Sequence, residues 1–207
     1  FLIPPKPYLG DELRNPELGI LFLAAVALIE GYSVRITDLR CKKENEFEGL
    51  IGKADVYAIT ATTPDYFMAK RIAELAKAKN PNAWVAIGGI HATSVPNQID
   101  SVFDKVGIGE GEISIIQILH DYQNGSNKRR FYQNELIKDL DTLPLPARDM
   151  LPFENVFSPN GLFVGAGPTA TVMLSRGCPW NCSFCSSATI WERRLRLRSP
   201  DNVIAEI

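Results

Sequence analysis

No segment of this 207-residue sequence is long and apolar enough to cross a bilayer. The longest apolar run, Gly19 to Ile29, falls well short of the roughly 20 residues that a spanning helix needs. An excess of one charge is missing as well: 22 Lys and Arg oppose 24 Asp and Glu, for a net charge of -2 and an isoelectric point near 5.8. That balance gives no electrostatic grip on nucleic acid or on an anionic membrane, so neither is expected as a partner. Histidine is scarce, with His91 and His120 alone. Cysteine is scarce too, four residues in all, which excludes a disulfide-stapled secreted scaffold. No signal-peptide pattern precedes the apolar run, and a cytoplasmic location is expected.

What is present suits a chain that buries a real core: 45% hydrophobic and 22% charged residues, an ordinary globular balance. The length fits one large domain, or one domain and part of another. The first residue is Phe1, not Met, and F-L-I already reads as the apolar end of a strand. Near the other end S-P-D-N opens a helix, with Ser199 as N-cap, Pro200 in the first helical position and Asp201 at the positive end of the dipole. Ile207 comes early for the end of such a helix, so a piece of a longer protein is expected.

From Phe1 to about Gln123, strand-like and helix-like segments alternate. After the loop P-P-K-P-Y-L-G a helix is expected, with Asn15 as its cap, Pro16 in its first position and Gly31 at its end. Its Leu18, Leu21, Phe22, Ala25, Val26 and Ile29 recur at the spacing of one buried face. S-V-R-I-T-D then reads as a second strand, E-N-E-F-E-G-L-I as a short helix and D-V-Y-A-I-T-A as a third strand. Asp65 to Lys79 reads as a helix, A-W-V-A-I-G-G as a fourth strand, V-F-D-K-V-G-I-G as a fifth, and Glu112 to Tyr122 as a last helix. Such alternation predicts an α/β fold: a parallel, five-stranded, Rossmann-like (flavodoxin-like) sheet covered on both faces.

Ligands of such sheets bind beyond the carboxyl ends of the strands. Three loops fall there. T-A-T-T-P-D-Y (60–66) supplies Thr62 and Thr63 as candidate contacts. G-G-I-H-A-T (88–93) supplies Gly88, Gly89, Ile90 and His91, and G-E-G-E (109–112) supplies Gly109, Glu110 and Gly111. Glycine lets a ligand approach the backbone closely and threonine offers a hydroxyl, although glycines that only turn the chain after a strand would look the same. Glu110 and Glu112 resemble an acid–base pair, and a turn around a bound cofactor accounts for them equally well.

Beyond Gln123 the polar stretch Q-N-G-S-N-K-R-R reads as a boundary. The prolines of D-L-D-T-L-P-L-P-A-R-D-M-L-P (139–152) rule out a long helix or a central strand. The expected organisation is a sheet domain over residues 1–124, a connector over 125–168 and the start of a second domain over 169–207. T-A-T-V-M-L-S (169–175) reads as a buried strand. In W-E-R-R-L-R-L-R (191–198), Leu195 and Leu197 alternate with Arg196 and Arg198, as in an edge strand with one wet face.

The stretch S-R-G-C-P-W-N-C-S-F-C-S-S gathers Cys178, Cys182 and Cys185 as C-x3-C-x2-C. A structural zinc site wants four protein ligands, and the remaining candidates, Cys41, His91 and His120, are distant in sequence. A disulfide with a spare thiol conflicts with a reducing compartment. An iron–sulfur cluster held by three thiolates leaves one iron open for chemistry, and thiolate-rich sites favour zinc or iron–sulfur. The cluster is the favoured reading. Cys41 reads as a passive thiol and His120 as a helix residue without a role.

C-P-W-N-C-S-F-C, directly after L-S-R-G, resembles the signature of the radical S-adenosylmethionine (AdoMet) superfamily. P-E-L-G-I-L-F-L-A-A-V, G-G-I-H-A-T, G-E-G-E, P-A-R-D-M-L-P and R-L-R-L-R-S-P-D-N are similar to its cobalamin-binding subgroup, so the resemblance covers nearly the whole chain. It implies that Cys178, Cys182 and Cys185 hold a [4Fe–4S] cluster whose open iron binds AdoMet. Phe184 would line the adenine side, and Trp180 would pack without a further role. It also implies a cobalamin domain followed by the first part of a radical AdoMet partial barrel. D-x-H-x-x-G, whose histidine binds cobalt in many cobalamin domains, is missing. The resemblance therefore implies cobalamin with its own base displaced, and His91 as pocket lining or a hydrogen-bond partner, with direct ligation of cobalt as the lesser alternative.

Reductive cleavage of AdoMet would start radical chemistry, with methyl transfer to an unactivated carbon as the leading outcome. The alternatives are ring formation or rearrangement, a cluster protein without cobalamin, or a non-catalytic carrier. The implied partners are a small-molecule or peptide substrate and an electron donor such as flavodoxin or ferredoxin. No catalytic residue is assigned, and residues completing AdoMet binding are expected beyond Ile207.

Overall fold

The computed structural model describes residues 1–9, 11–13, 16–158 and 169–207. The chain runs through β1 (Leu2–Ile3), α1 (Leu18–Ile29), β2 (Thr37–Asp38), α2 (Phe47–Leu50), β3 (Val56–Thr60) and α3 (Tyr66–Lys79). It continues through β4 (Trp84–Gly88), α4 (Ile90–Ser94), β5 (Lys105–Ile108), α5 (Gly111–Gln123) and β6 (Phe131–Gln133). These six strands form one sheet in the order β2-β1-β3-β4-β5-β6, with every neighbouring pair parallel. Parallel neighbours need a crossover, and the intervening helices supply it.

The expected α/β fold with a parallel sheet is borne out, with one strand more than the sequence suggested. Phe131–Gln133, read above as connector, lies along β5 through the pairs Val106–Phe131, Gly107–Tyr132 and Ile108–Gln133. Only Tyr132 of the three is buried, so this edge strand has no apolar run to announce it.

The sheet side chains alternate with period two. Tyr57, Ile59, Val85 and Ile87 join Phe47, Ala69, Ile72, Ala73 and Phe103 in one core with α2 and α3. Ala58 and Ala86 face the other way, toward Ile118 and Tyr132. On that side α1 and α5 lie against each other, and the small residues opposite leave space between sheet and helices. Each fully buried Ile, Val or Phe side chain in the first core contributes about 1.5–3 kcal/mol.

Several local expectations are corrected. Helix α1 begins at Leu18, because the amides of Ile20 and Leu21 both turn to the Glu17 carbonyl; Pro16 precedes the helix, and Asn15 lies outside the described residues. G-G-I-H-A-T is not an open loop but enters the short helix α4. The continuous strand expected over 169–175 is two fragments, β8 (Thr169–Ala170) and β9 (Ser175–Arg176). The first pairs with β7 (Phe157–Ser158), after the helical turn α6 (Phe153–Val156). The second pairs with β10 (Arg196–Leu197), beyond helix α7 (Ser187–Trp191). Residues 171–174 belong to no strand among the described residues: the Thr171 and Met173 carbonyls accept from the side chains of Arg148 and Arg198 instead of from a neighbouring strand. The last helix, α8 (Pro200–Glu206), starts as expected: the Ser199 hydroxyl accepts the Asn202 amide, with Pro200 behind it. No helix among the described residues is long and apolar enough to cross a membrane.

Candidate functional site

The loops after β3, β4 and β5 are tied to one another by hydrogen bonds. The amide of His91 donates to the Ala61 carbonyl at 3.1 Å, and that of Ala61 to Gly88 at 3.1 Å. The Thr93 hydroxyl donates to the Gly89 carbonyl at 2.9 Å and accepts the Gly109 amide at 3.0 Å. Gly89 makes this closeness possible. Its φ is +92°, and a Cβ there would stand 2.7 Å from Thr60 Oγ1 and 2.9 Å from the Ala61 carbonyl. A side chain at this position would push the loops apart.

Behind these loops, between the sheet and helices α1 and α5, lies a cavity of about 460 Å³. Its walls include Leu18, Leu23, Ala58, Ala86, Ile115 and Ile118, and its backbone surface is bare at Gly88, Gly89 and Gly107. That volume lies within the roughly 300–1,000 Å³ of small-ligand pockets. Bare glycine backbone in an apolar cavity lets a ligand approach the main chain closely. A hollow of about 520 Å³ opens at the opposite end of the strands around Phe1, Arg35 and Asp55. It lies away from every candidate residue.

The mouth of the cavity is closed by charge. Arg176 is 7% exposed. It donates through Nη1 to Glu110 at 2.9 Å and through Nη2 to Glu112 at 2.5 Å, and it packs over the Phe22 ring of α1. Arg196 adds a third leg, from Nη1 to Glu110 at 2.8 Å and to the Ile137 carbonyl at 2.5 Å. Burial alone would raise the Glu110 carboxyl, but hydrogen bonds from Arg196 and Arg176 hold it below its ordinary value. Burial likewise opposes the Arg176 charge, and Glu112 and Glu110 overcome that opposition. Two cations and two anions cancel. The Nε and Nη2 of Arg196 are nevertheless buried without a hydrogen-bond partner.

This arrangement corrects the sequence reading of 191–198. Arg196 and Arg198 are not a wet face: Arg198 is buried and pairs with Glu206, while Leu195 and Leu197 are exposed. Guanidinium groups turn inward here because buried carboxylates wait for them, and a leucine in their place would take one of two cationic partners from Glu110 or from Glu206. Arg148 of the connector also pairs with Glu206 and donates to the Thr171 carbonyl at 2.7 Å.

The cysteine loop leaves this cluster directly. Arg176 lines the cavity, Gly177 follows it, and Cys178 comes next. Gly177 has φ +94°, and a Cβ there would overlap the Arg194 carbonyl at 1.8 Å, so only glycine fits. Cys178, Cys182 and Cys185 are free thiols, the latter two exposed. The amide of Cys185 donates to the Cys182 carbonyl at 3.1 Å. Hydrogen bonding from Ser187 lowers the Cys185 thiol. Three thiols on one loop are the right donor chemistry for an iron–sulfur cluster. Among the described residues, however, no three Cys, His, Asp or Glu side chains are drawn together closely enough to hold a metal ion. Bound metal would have to gather the ligands, as it does in many small metal sites.

The sequence-predicted residues therefore divide. Gly88, Gly89, Gly109, Glu110 and Gly111 line the cavity. Thr62, Thr63, Ile90 and His91 do not line it but form the rim beside it. There the Thr62 hydroxyl donates to Asp65 at 2.8 Å, and His91 Nδ1 sits 3.1 Å from Thr63 Oγ1 and against the Tyr66 ring. Burial lowers the His91 pKa and favours the neutral ring. Phe184 is 91% exposed and meets no cavity. Sequence reasoning missed Arg176, Met173 and Trp191 and read Arg196 as solvent-facing; it raised Glu112 only with Glu110, as an acid–base pair or a turn. The signal was there in principle: two carboxylates in G-E-G-E and two arginines flanking the cysteines are a charge-balanced set, but only the fold brings them together.

A parallel sheet with a glycine-lined cavity at its carboxyl end, joined through Arg176 and Gly177 to a thiol-rich loop, is an α/β domain with a place for a small ligand. The family model of the B12 binding domain matches residues 12–119, and the chain belongs to that family. Among its relatives is an uncharacterized methyltransferase of Pyrococcus horikoshii, 31% identical over 93% of this chain and 45% of the relative. The hopanoid C-3 methylase of Methylococcus capsulatus is 26% identical over 100% of this chain and 43% of its own. The anaerobic magnesium-protoporphyrin IX monomethyl ester cyclase of Cereibacter sphaeroides is 31% identical over 74% of this chain and 27% of its own. The chain thus spans less than half the length of these relatives. Their names are those of methyl-transferring and ring-forming enzymes, and the B12 match agrees with the cobalamin side of the resemblance drawn from the sequence.

Proposed function

We propose that this chain is the cobalamin-binding and cluster-bearing part of a radical AdoMet enzyme that transfers a methyl group to an unactivated carbon. The observation that carries the reading is the cavity at the carboxyl end of the parallel sheet, one of whose walls, Arg176, stands two residues before the first cysteine of C-x3-C-x2-C. In such an enzyme cobalamin supplies the methyl group, and the cluster with AdoMet supplies the radical.

This chain's residues have the tasks of binding and placement. Gly88, Gly89 and Gly107, with Ile115 and Ile118 around them, let cobalamin approach the main chain closely. Thr62, Thr63 and a neutral His91 offer hydrogen bonds at the rim, without a D-x-H-x-x-G histidine beneath the metal. Cys178, Cys182 and Cys185 supply thiolates, and the exposed Phe184 stands free to meet adenine. The connector residue Arg148, held by Glu206, fixes how the cysteine segment stands against the sheet. Ring formation is the second reading, favoured by the similarity to the cyclase, which extends over three-quarters of the chain. Substrate and electron donor (flavodoxin or ferredoxin) would meet parts of the longer enzyme.

The test is oxygen-free reconstitution of the full-length enzyme with iron and sulfide, followed by reduction in the presence of AdoMet. The expected result is a [4Fe–4S] electron paramagnetic resonance signal and release of 5′-deoxyadenosine, both lost in the Cys178→Ala, Cys182→Ala and Cys185→Ala variants. A cluster signal that survives all three substitutions would sink the reading.

A further inference from the structure

From the buried charge cluster we infer that Arg176 is a positioning residue that couples occupancy of the cavity to the conformation of the cysteine loop. The inference rests on the cobalamin reading above and extends it to communication between the two cofactor sites.

Three observations carry it. Arg176 is at once a cavity wall and the anchor of the loop: it lines the cavity together with Gly89, Glu110 and Glu112, and only Gly177 separates it from Cys178. That single spacer transmits rather than absorbs movement, because Gly177 is fixed at φ +94° with the Arg194 carbonyl where a side chain would be. The cluster is also unsaturated. Arg196 bonds Glu110 and Ile137 through Nη1 alone, and its Nε and Nη2 are buried with no acceptor. A buried donor left unpaired calls for an explanation. A ligand that enters the cavity meets Arg176, Glu110 and Glu112; a polar group of that ligand beside them would re-divide the carboxylates between Arg176 and the under-used Arg196. A change in how Arg176 shares Glu110 and Glu112 then becomes a displacement of Gly177 and Cys178. By thermodynamic reciprocity, organising the cysteine loop would raise the affinity of the cavity for its ligand.

The experiment uses the metal-free chain, with cyanocobalamin as the cavity ligand and iodoacetamide as the probe of each cysteine, read by peptide mass spectrometry. In the native sequence, saturating cyanocobalamin should change the alkylation rate of Cys178 by at least about five-fold, the lower end of ordinary coupling between sites. Arg176→Lys keeps the charge but cannot hold two carboxylates in one planar fork, and Arg176→Gln removes the charge. With each variant titrated to its own saturation by cyanocobalamin, whatever its affinity, the ligand-dependent change at Cys178 should fall below about two-fold. Far-ultraviolet circular dichroism checks that each variant is folded. Should the Arg176 variants fail to fold, Glu112→Gln, which removes one leg only, carries the same comparison. A rate change that persists in folded variants would show simple occlusion by the ligand and overturn the coupling role. Binding without any change at Cys178 in the native sequence would overturn it too, with the cobalamin reading left standing. Failure of the native chain to bind would bring down the cobalamin reading and the coupling together.

Discussion

The sheet and the cysteine segment are held by different forces. Residues 1–158 bury hydrocarbon: Phe47, Ile72, Val85 and Phe103 are all within 1% of complete burial. Among the described residues from Thr169 onward no hydrophobic residue is buried; the buried residues are Arg176 and Arg198, and their partners are the carboxylates of Glu110, Glu112 and Glu206. Hydrocarbon burial is non-directional and tolerates repacking. A buried ion pair fixes geometry but contributes little net stability, because desolvation offsets its attraction. The difference suits a molecule in which one part is a scaffold and the other must be aimed at it.

That comparison can be broken from its strong side first. Phe103→Ala removes a fully buried ring from the core shared with α2 and α3 and is expected to cost about 3–5 kcal/mol. Urea denaturation should show the whole sheet unfolding earlier. Arg176→Met leaves Glu112 buried without its ion pair and Glu110 with Arg196 alone, at a cost of about 3–5 kcal/mol. Here the loss should be local. Hydrogen exchange should accelerate through residues 169–207 while β3 and β4 stay protected; equal loss in both would erase the distinction.

Gly89→Ala is expected to cost about 1–3 kcal/mol through its positive φ. The approach to Thr60 and Ala61 should add cobalamin binding to what is lost, as read by titration.

Acid sharpens the contrast further. The Glu110 pKa is depressed below 4.5 in the folded protein, so its stabilisation is complete above about 4.5 and is lost as pH falls through the lower, folded value. Limited proteolysis should find the cysteine segment unchanged between pH 7 and 5 and loosened only in stronger acid; loosening already near pH 6 would assign the bridge to another group. The smallest effect is expected at Phe184→Ala. This side chain is 91% exposed, and its loss should leave thermal stability within about 0.5 kcal/mol.

What could be read from sequence follows the same division. The strands β3, β4 and β5 and the helices α3 and α5 announce themselves through apolar periodicity, since each must bury one face against the sheet. Their loops could be placed at the carboxyl ends because parallel topology leaves no other arrangement, and five of the candidate residues there do line the cavity. Edge strand β6 escaped because two of its three residues face solvent. The arginine bridge escaped for a deeper reason. Periodicity treats Arg196 and Arg198 as polar and assigns them to water, whereas partners 86 positions away for Arg196 and eight for Arg198 bring them inside. No local pattern encodes such pairing. The cysteines were legible as donors from their spacing, yet their convergence depends on what they bind.

The most direct measurement is a cobalamin titration of the folded chain without oxygen, followed by visible absorption. The account expects saturation at one cobalamin per chain, a spectrum with the cofactor's own base displaced, and loss of binding in Gly89→Ala. A folded chain that leaves the cobalamin spectrum unchanged at saturating concentration would contradict it.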